Sequence, residues 1–227
     1  MVFSGFTPDT LRFIEELAEH NDSTWFAAQK SRYEREVLER EKAFVGEAGE
    51  AIHAFAPHVV ADPRVNGSIF RIRRDIRFAR DKSPFKTYVD MWFWEGYSRK
   101  TTSGFFVRIV PDAIWMGAGA HMLDGPGLEA LRIAIAGDEI GPDLADAVEA
   151  AKDAGYTVAG DMLKRVPHPF SAEHPRGELL RHKTINALKS EPVPEEFYTP
   201  AFIGWCVARW RQLEPLHSAL SRALGVR

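Results

Sequence analysis

One cysteine in 227 residues rules out an internal disulfide. A lone Cys206 fits a reducing compartment. No apolar run approaches the roughly 20 residues that a bilayer-spanning helix needs. The first residues, MVFSGF, have neither the basic start nor the apolar stretch of a secretory signal. No Ser/Gly or Pro tract is long enough for an interdomain linker, and no repeat is visible. A net charge of -3 excludes a chain that is basic throughout. What is present is ordinary for a globular protein: 45% hydrophobic and 27% charged residues. A chain of this length buries roughly 70% of its unfolded surface and needs no staple. These features lead to the expectation of one soluble, cytoplasmic domain spanning 1–227.

The familiar catalytic signatures are also missing. Gly117 and Gly119 follow a strand-like stretch, but the third glycine and the immediate helix of a dinucleotide fingerprint are absent. Small residues there would let a ligand or another strand approach the backbone. There is no phosphate-loop lysine, no serine nucleophile elbow and no Cys/His dyad. Eight histidines include no helical i, i+4 pair and no zinc-type spacing, so neither metal nor cofactor is expected. His121 and His174 are the histidines placed to line a cleft or to be held rigidly. Cys206 falls on an apolar helical stripe and reads as core.

Hydrophobic spacing gives an α+β fold with a mainly antiparallel central sheet. Thr7, Pro8 and Asp9 open a first helix carrying Leu11, Ile14 and Leu17. A second helix is expected from Ser23 or Thr24, with Trp25, Phe26, Lys30, Tyr33 and Val37. A third is expected over 42–55. The period then shortens. Residues 69–74 read as a strand with Phe70 and Ile72 on one face and Arg71 and Arg73 on the other. Residues 87–95 read as a central strand apolar on both faces. Residues 103–110 and 113–117 read as a hairpin. A helical pair follows: Leu128, Leu131 and Ile135 end at Gly137, and Pro142 opens Leu144, Val148 and Ala151. Residues 156–166 suggest a short hairpin turning at Gly160-Asp161. Residues 168–175 read as loop and 177–182 as a short helix. A long C-terminal helix carries Phe202, Cys206, Trp210 and Leu213, and Pro215 kinks or ends it.

Residues 69–88, IFRIRRDIRFARDKSPFKTY, hold seven basic and two acidic residues, a net +5. The remainder of the chain therefore carries -8. A positive island in an acidic protein focuses its field. The planar guanidinium fork suits carboxylate or phosphate, and Arg71 and Arg73 on a strand would project about 7 Å apart. The candidate anion ligands are Arg71, Arg74, Arg77, Lys82 and Lys86. Asp75 and Asp81 are the candidate orienting or acid–base carboxylates. The bland alternative is an internal ion-pair network, because buried charges need partners.

This run resembles the signature of the uncharacterised family called domain of unknown function 2461, F-R-x-x-R-D-x-R-F-x-x-D-K-x-P-Y-K. It is matched by Phe70, Arg71, Arg74, Asp75, Arg77, Phe78, Asp81, Lys82, Pro84 and Lys86. The resemblance covers nearly the whole chain. Asn21, Trp25-Phe26, Lys30 and Tyr33 are similar to the family's first helices. Gly117, Gly119, Leu128 and Arg132 are similar to its glycine-containing strand and following helix. His174-Pro175, Leu179-Leu180-Arg181 and Lys183 are similar to its C-terminal motif. Phe85 stands where the family often has Tyr, so no phenol there can be essential. The resemblance implies an α+β fold and no established activity.

Three functions remain open on the sequence. The first is a site for a small phosphorylated or carboxylated molecule, with or without catalysis. Tyr88, Trp92, Trp94 and Trp115 offer flat rings beside it. The second is a non-catalytic interaction module whose charges hold the fold. The third, nucleic-acid binding, is disfavoured by the acidic remainder and the lack of a known motif.

Overall fold

The computed structural model describes residues 2–226. Its N-terminal helices are α1 (Pro8–Glu19), α2 (Ser23–Ala28), α3 (Lys30–Tyr33) and α4 (Glu39–His53), with a π-helical turn, Glu34–Leu38, leading into α4. Thr7 caps α1 by accepting from the Thr10 N–H while Thr10 Oγ1 receives the Thr7 N–H, so two end donors are satisfied. Asp22 caps α2 in the same role.

The sheet has six antiparallel strands in the order β1-β2-β3-β4-β6-β5. They are β1 (Val59–Val60), β2 (Val89–Glu95), β3 (Ser103–Ile109), β4 (Ala113–Ala120), β5 (Thr157–Ala159) and β6 (Ile185–Pro192). Between β4 and β5 lie α5 (Gly125–Ala136) and α6 (Gly141–Asp153), the expected pair. After β5 come α7 (Gly177–Leu180), β6, a 3-10 turn Glu195–Tyr198, and finally α8 (Phe202–Gln212) and α9 (Glu214–Ala223). The C-terminal helix breaks at Leu213, and Pro215 sits in the first turn of α9, where its missing N–H costs nothing.

Strand alternation divides the sheet into two faces. Met91, Phe93, Phe105, Val107, Ile114, Met116, Ala118 and Ala187 point to the helices and are fully buried. Trp210 of α8 packs edge-on to Phe93 at 5.2 Å and donates its indole N–H to the Phe106 carbonyl at 3.1 Å. Cys206 is sealed beside it. Phe6 stacks on Phe197 at 5.0 Å and joins Phe44 and Phe202, tying both ends of the chain into one core. The opposite face carries Tyr88, Asp90, Trp92, Trp94, Phe106, Arg108 and an exposed Trp115.

Two expected elements take other forms. Residues 69–74 are not a strand. Ile69 pairs with Met91 along the outer edge of β2, and four residues later Arg73 faces Phe85. The alternation is present, with Ile72 buried and Arg71 and Arg73 exposed, but the pairing partner changes before a ladder can extend. Residues 156–166 do not fold on themselves either. Thr157–Ala159 pairs instead with β6.

β6 itself escaped the sequence reading. Its small and charged residues, INALKSEP, hide the alternation that buries Ile185 and Ala187. The glycines of β4 serve this strand, not a ligand. A Cβ at Gly117 would lie 2.5 Å from the Ala187 carbonyl oxygen, and one at Gly119 would lie 2.3 Å from that of Ile185.

Candidate anion site

The basic segment forms a hairpin-like excursion from the edge of β2. Its arms, residues 72–74 and 84–86, are joined by Arg74 N–H to Pro84 O at 2.9 Å and Lys86 N–H to Ile72 O at 2.8 Å. Asn21 fastens it to the helices. Its amide accepts from the Phe85 N–H at 3.0 Å and donates to the Phe85 carbonyl at 3.1 Å, so one side chain acts as a strand partner. The Phe85 ring stacks on Phe26 at 4.2 Å. Asn21→Ala is expected to lose about 1–3 kcal/mol, the cost of two unmet backbone groups. Faster hydrogen exchange at the Arg74 and Lys86 amides would show this. Unchanged exchange would mean that Phe85 packing alone holds the hairpin.

The structure divides the seven expected site residues into two groups. At the tip, Arg77 binds Asp75 through two parallel bonds of 3.0 and 2.7 Å, and both side chains are exposed. Arg74 pairs with Asp81 and also donates to the Ser83 carbonyl at 3.2 Å. Lys82 donates to the Ile76 carbonyl at 2.9 Å. The Asp75 carboxyl is pushed down to about 2 by its hydrogen bonds from Arg77. That of Asp81 is pushed down to about 2 by its bonds from Ser83, then from Arg74. Phe78 stands between these pairs, 96% exposed.

The second group lies at the root. Lys86 is half-buried, with its ammonium 5.0 Å from the Phe70 ring centre and 5.7 Å from that of Tyr88. Burial lowers its proton affinity, Asp90 works against that, and Arg108 and Arg71 lower it further. Those four groups therefore share one field. Arg108 lies 3.9 Å over Tyr88 and grips the buried Asp90 through bonds of 2.6 and 3.0 Å. Arg99 covers the other ring, 4.2 Å from the centre of Phe70. Lys86, Arg99 and Arg108 each sit on an aromatic face, which holds a cation without neutralising it, while Arg71 is exposed.

Glu41 of α4 completes the root. It is 1% exposed, and its Oε1 has no hydrogen-bond partner among the described residues. Burial raises its carboxyl well above the usual range, the Asp90 charge adds to this, and Lys86 opposes it. Burial therefore favours the neutral, protonated form of Glu41.

Arg71 and Lys86 were legible in the sequence. Arg108, Asp90, Arg99 and Glu41 were not identified there. Glu41 left a signal: it stands on the apolar stripe of α4 with Phe44, Val45, Ala48 and Ile52. Arg108 and Asp90 left none, because their meeting depends on the β2–β3 register that pairs them.

Other candidates resolve into structural roles. His121 is exposed at the end of β4. His174 accepts the Arg176 N–H at Nδ1, 3.0 Å, so its Nε2 donates to the Ala136 carbonyl at 3.3 Å. It caps the end of α5. Ser103, His217 and Glu95 form a buried chain, with Ser103 Oγ 3.0 Å from His217 Nδ1 and His217 Nε2 3.0 Å from Glu95 Oε2. The composition is that of a nucleophile triad. The serine is sealed from solvent, however, and it meets Nδ1 instead of the Nε2 that activates a serine. Among the described residues, no group of three or more His, Cys, Asp or Glu is placed to hold a metal ion, and no helix is long and apolar enough to cross a membrane.

The family described as Conserved hypothetical protein (DUF2461) matches residues 9–218. The chain belongs to this family. The match takes in the hairpin, the sheet, α5 to α8 and most of the root of α9 up to Ser218. Comparison with curated proteins and with solved structures gave no match. Family membership therefore brings a fold-length identity and no activity, and function rests on the chemistry of the residues.

Proposed function

We propose that this member of the family binds a small phosphorylated or carboxylated ligand at the hairpin root, through Arg71, Lys86 and Arg108. The observation that carries this is a charge imbalance. Three cations share one field, Asp90 is the carboxyl group that faces them, and Asp90 is already taken by Arg108. Burial favours the neutral form of Glu41, which offsets none of this charge. A positive surplus, with Lys86 and Arg108 half-buried on aromatic faces and Arg71 exposed beside them, is what an anion would complete. Arg74, Arg77 and Lys82 form the rim. Asp75 and Asp81 orient them, since a carboxylate of pKa about 2 is a poor proton acceptor at neutral pH. If the site is catalytic, Glu41 is the carboxyl whose proton affinity suits acid–base work. The sealed single thiol of Cys206 supports a cytoplasmic setting.

The test is thermal unfolding with phosphate, nucleotides, sugar phosphates, acyl-coenzyme A and dicarboxylates at matched ionic strength. A ligand at about 100 times its Kd adds about 2.7 kcal/mol. The expected result is a compound-specific rise that Lys86→Ala abolishes and that Arg77→Ala, removing a group already engaged by Asp75, largely keeps. A second reading draws on the self-paired tip: the hairpin is a non-catalytic docking element with Arg74–Asp81 and Arg77–Asp75 as its struts. No response to any anion would overturn the first reading and leave the second.

A further inference from the structure

Away from the residues of the anion site, α6, β5 and α7 enclose a cleft of about 250 Å³. Its polar walls are Asp146, Glu149, Lys152, Arg176, Glu178 and His182. The family's C-terminal motif builds one side of it. Within that motif, His174 and Arg176 hold the end of α5, and Arg181 Nε donates to the Leu163 carbonyl at 2.8 Å. His182 is fixed between these ties.

His182 is 5% exposed and lines the cleft. Its Nδ1 lies 3.2 Å from the Thr184 carbonyl oxygen, which can only accept, so Nδ1 carries the hydrogen. Nε2 is left with its lone pair and with no hydrogen-bond partner among the described residues. Burial lowers the proton affinity of the ring, so it is neutral at pH 7. A neutral imidazole of fixed tautomer is a directed acceptor.

The remaining groups agree in sign. Lys152 is bound to Glu149 at 2.7 Å. Arg176 spends its guanidinium on the carbonyls of Ile135, Ala136 and Gly137, at 2.6 to 3.1 Å, and on Asp138. Both cations are engaged. Asp146 and Glu178 make no side-chain hydrogen bond or ion pair among the described residues. The groups open to a ligand are thus an imidazole lone pair and two carboxylates, all acceptors. The wall residues sum to one negative charge.

We propose that this cleft is a second binding site, for a small organic ammonium ion that donates an N–H to His182 Nε2 and is balanced by Glu178 and Asp146. It is independent of the anion site and takes a ligand of opposite charge. Charge alone does not satisfy it, because His182 needs a donor. A hydroxyl alone leaves the carboxylates unmet.

The test is titration of the protein with propylamine, tetramethylammonium and propanol, followed by NMR of the His182 ring nitrogens. These probes carry charge with N–H, charge without N–H, and a donor without charge. Propylamine is expected to give a saturable shift at His182 Nε2, with the other two at least tenfold weaker. Glu178→Gln, on the surface and safe for folding, is expected to weaken propylamine about threefold, the scale of one exposed ion pair. His182→Gln is expected to abolish the response. If that variant fails to fold by circular dichroism, the Glu178→Gln result decides. Equal responses to all three probes, or no shift at His182, or an unchanged affinity in Glu178→Gln would each overturn the proposal.

Discussion

His217→Ala is expected to lower the unfolding free energy by about 2–5 kcal/mol, the usual loss when a large, fully buried side chain is truncated. His217 of α9 is fully buried between Ser103 of β3 and Glu95 of β2. It also packs 4.6 Å from the Phe105 ring centre. The substitution removes the imidazole beside the Glu95 carboxylate and opens a cavity, so two costs add. Ser103→Ala takes away one hydrogen bond and should cost only about 1 kcal/mol. Urea unfolding of the three proteins at pH 7 checks both figures. A loss below 1 kcal/mol for His217→Ala would mean that the helix packing alone holds α9 to the sheet.

The second large effect concerns pH. The folded carboxyl of Glu41 is raised above the ordinary value of 4.5. Above that pH the unfolded chain releases the proton and the folded chain keeps it. The folded state then binds more protons, and stability falls as pH rises, by about 1.4 kcal/mol per pH unit while Glu41 stays protonated. Below pH 4.5 the group contributes no penalty. Glu41→Gln mimics the protonated form and carries no proton to lose. It should therefore be more stable than the wild type at pH 7, with the gap closing towards pH 4. Unfolding midpoints of both proteins from pH 4 to 8 test this, and parallel profiles would show that Glu41 ionises freely in the fold. If Glu41 is the acid of the anion site, the same variant should gain stability and lose turnover, the trade expected where a carboxyl is kept buried for function.

The candidate site is partly readable in the sequence. The arginine-rich run announced itself by composition, since +5 within an acidic chain is visible at any level of structure. The run did not show which of its cations are free. Arg77 and Arg74 looked equal to Arg71 and Lys86, yet Asp75 sits two residues from Arg77 and neutralises it across a tight turn. Lys86 escapes such a partner because the 84–86 arm carries it under Phe70 and Tyr88. Arg108 joins it from another strand, 22 residues on, through pairing that no local pattern encodes.

By itself the sequence determined the elements whose causes are local. These are α1 with its Thr7–Pro8 start, the β3–β4 hairpin about Pro111-Asp112, the α5–α6 pair with its glycine and proline boundaries, and the break before Pro215. Caps, turns and amphipathic stripes act within a few residues, so neighbours in the chain suffice to encode them. Only the tertiary structure decided the rest. β6 becomes a strand because β4 and β5 offer it two edges, and residues 69–74 fail to become one because two partners divide them. The proton affinity of Glu41 is raised because α4 carries it away from water, and His182 keeps a free nitrogen because Thr184 fixes its tautomer. Pairing, burial and protonation are set by groups far apart in sequence, and they exist only once the chain has closed on itself.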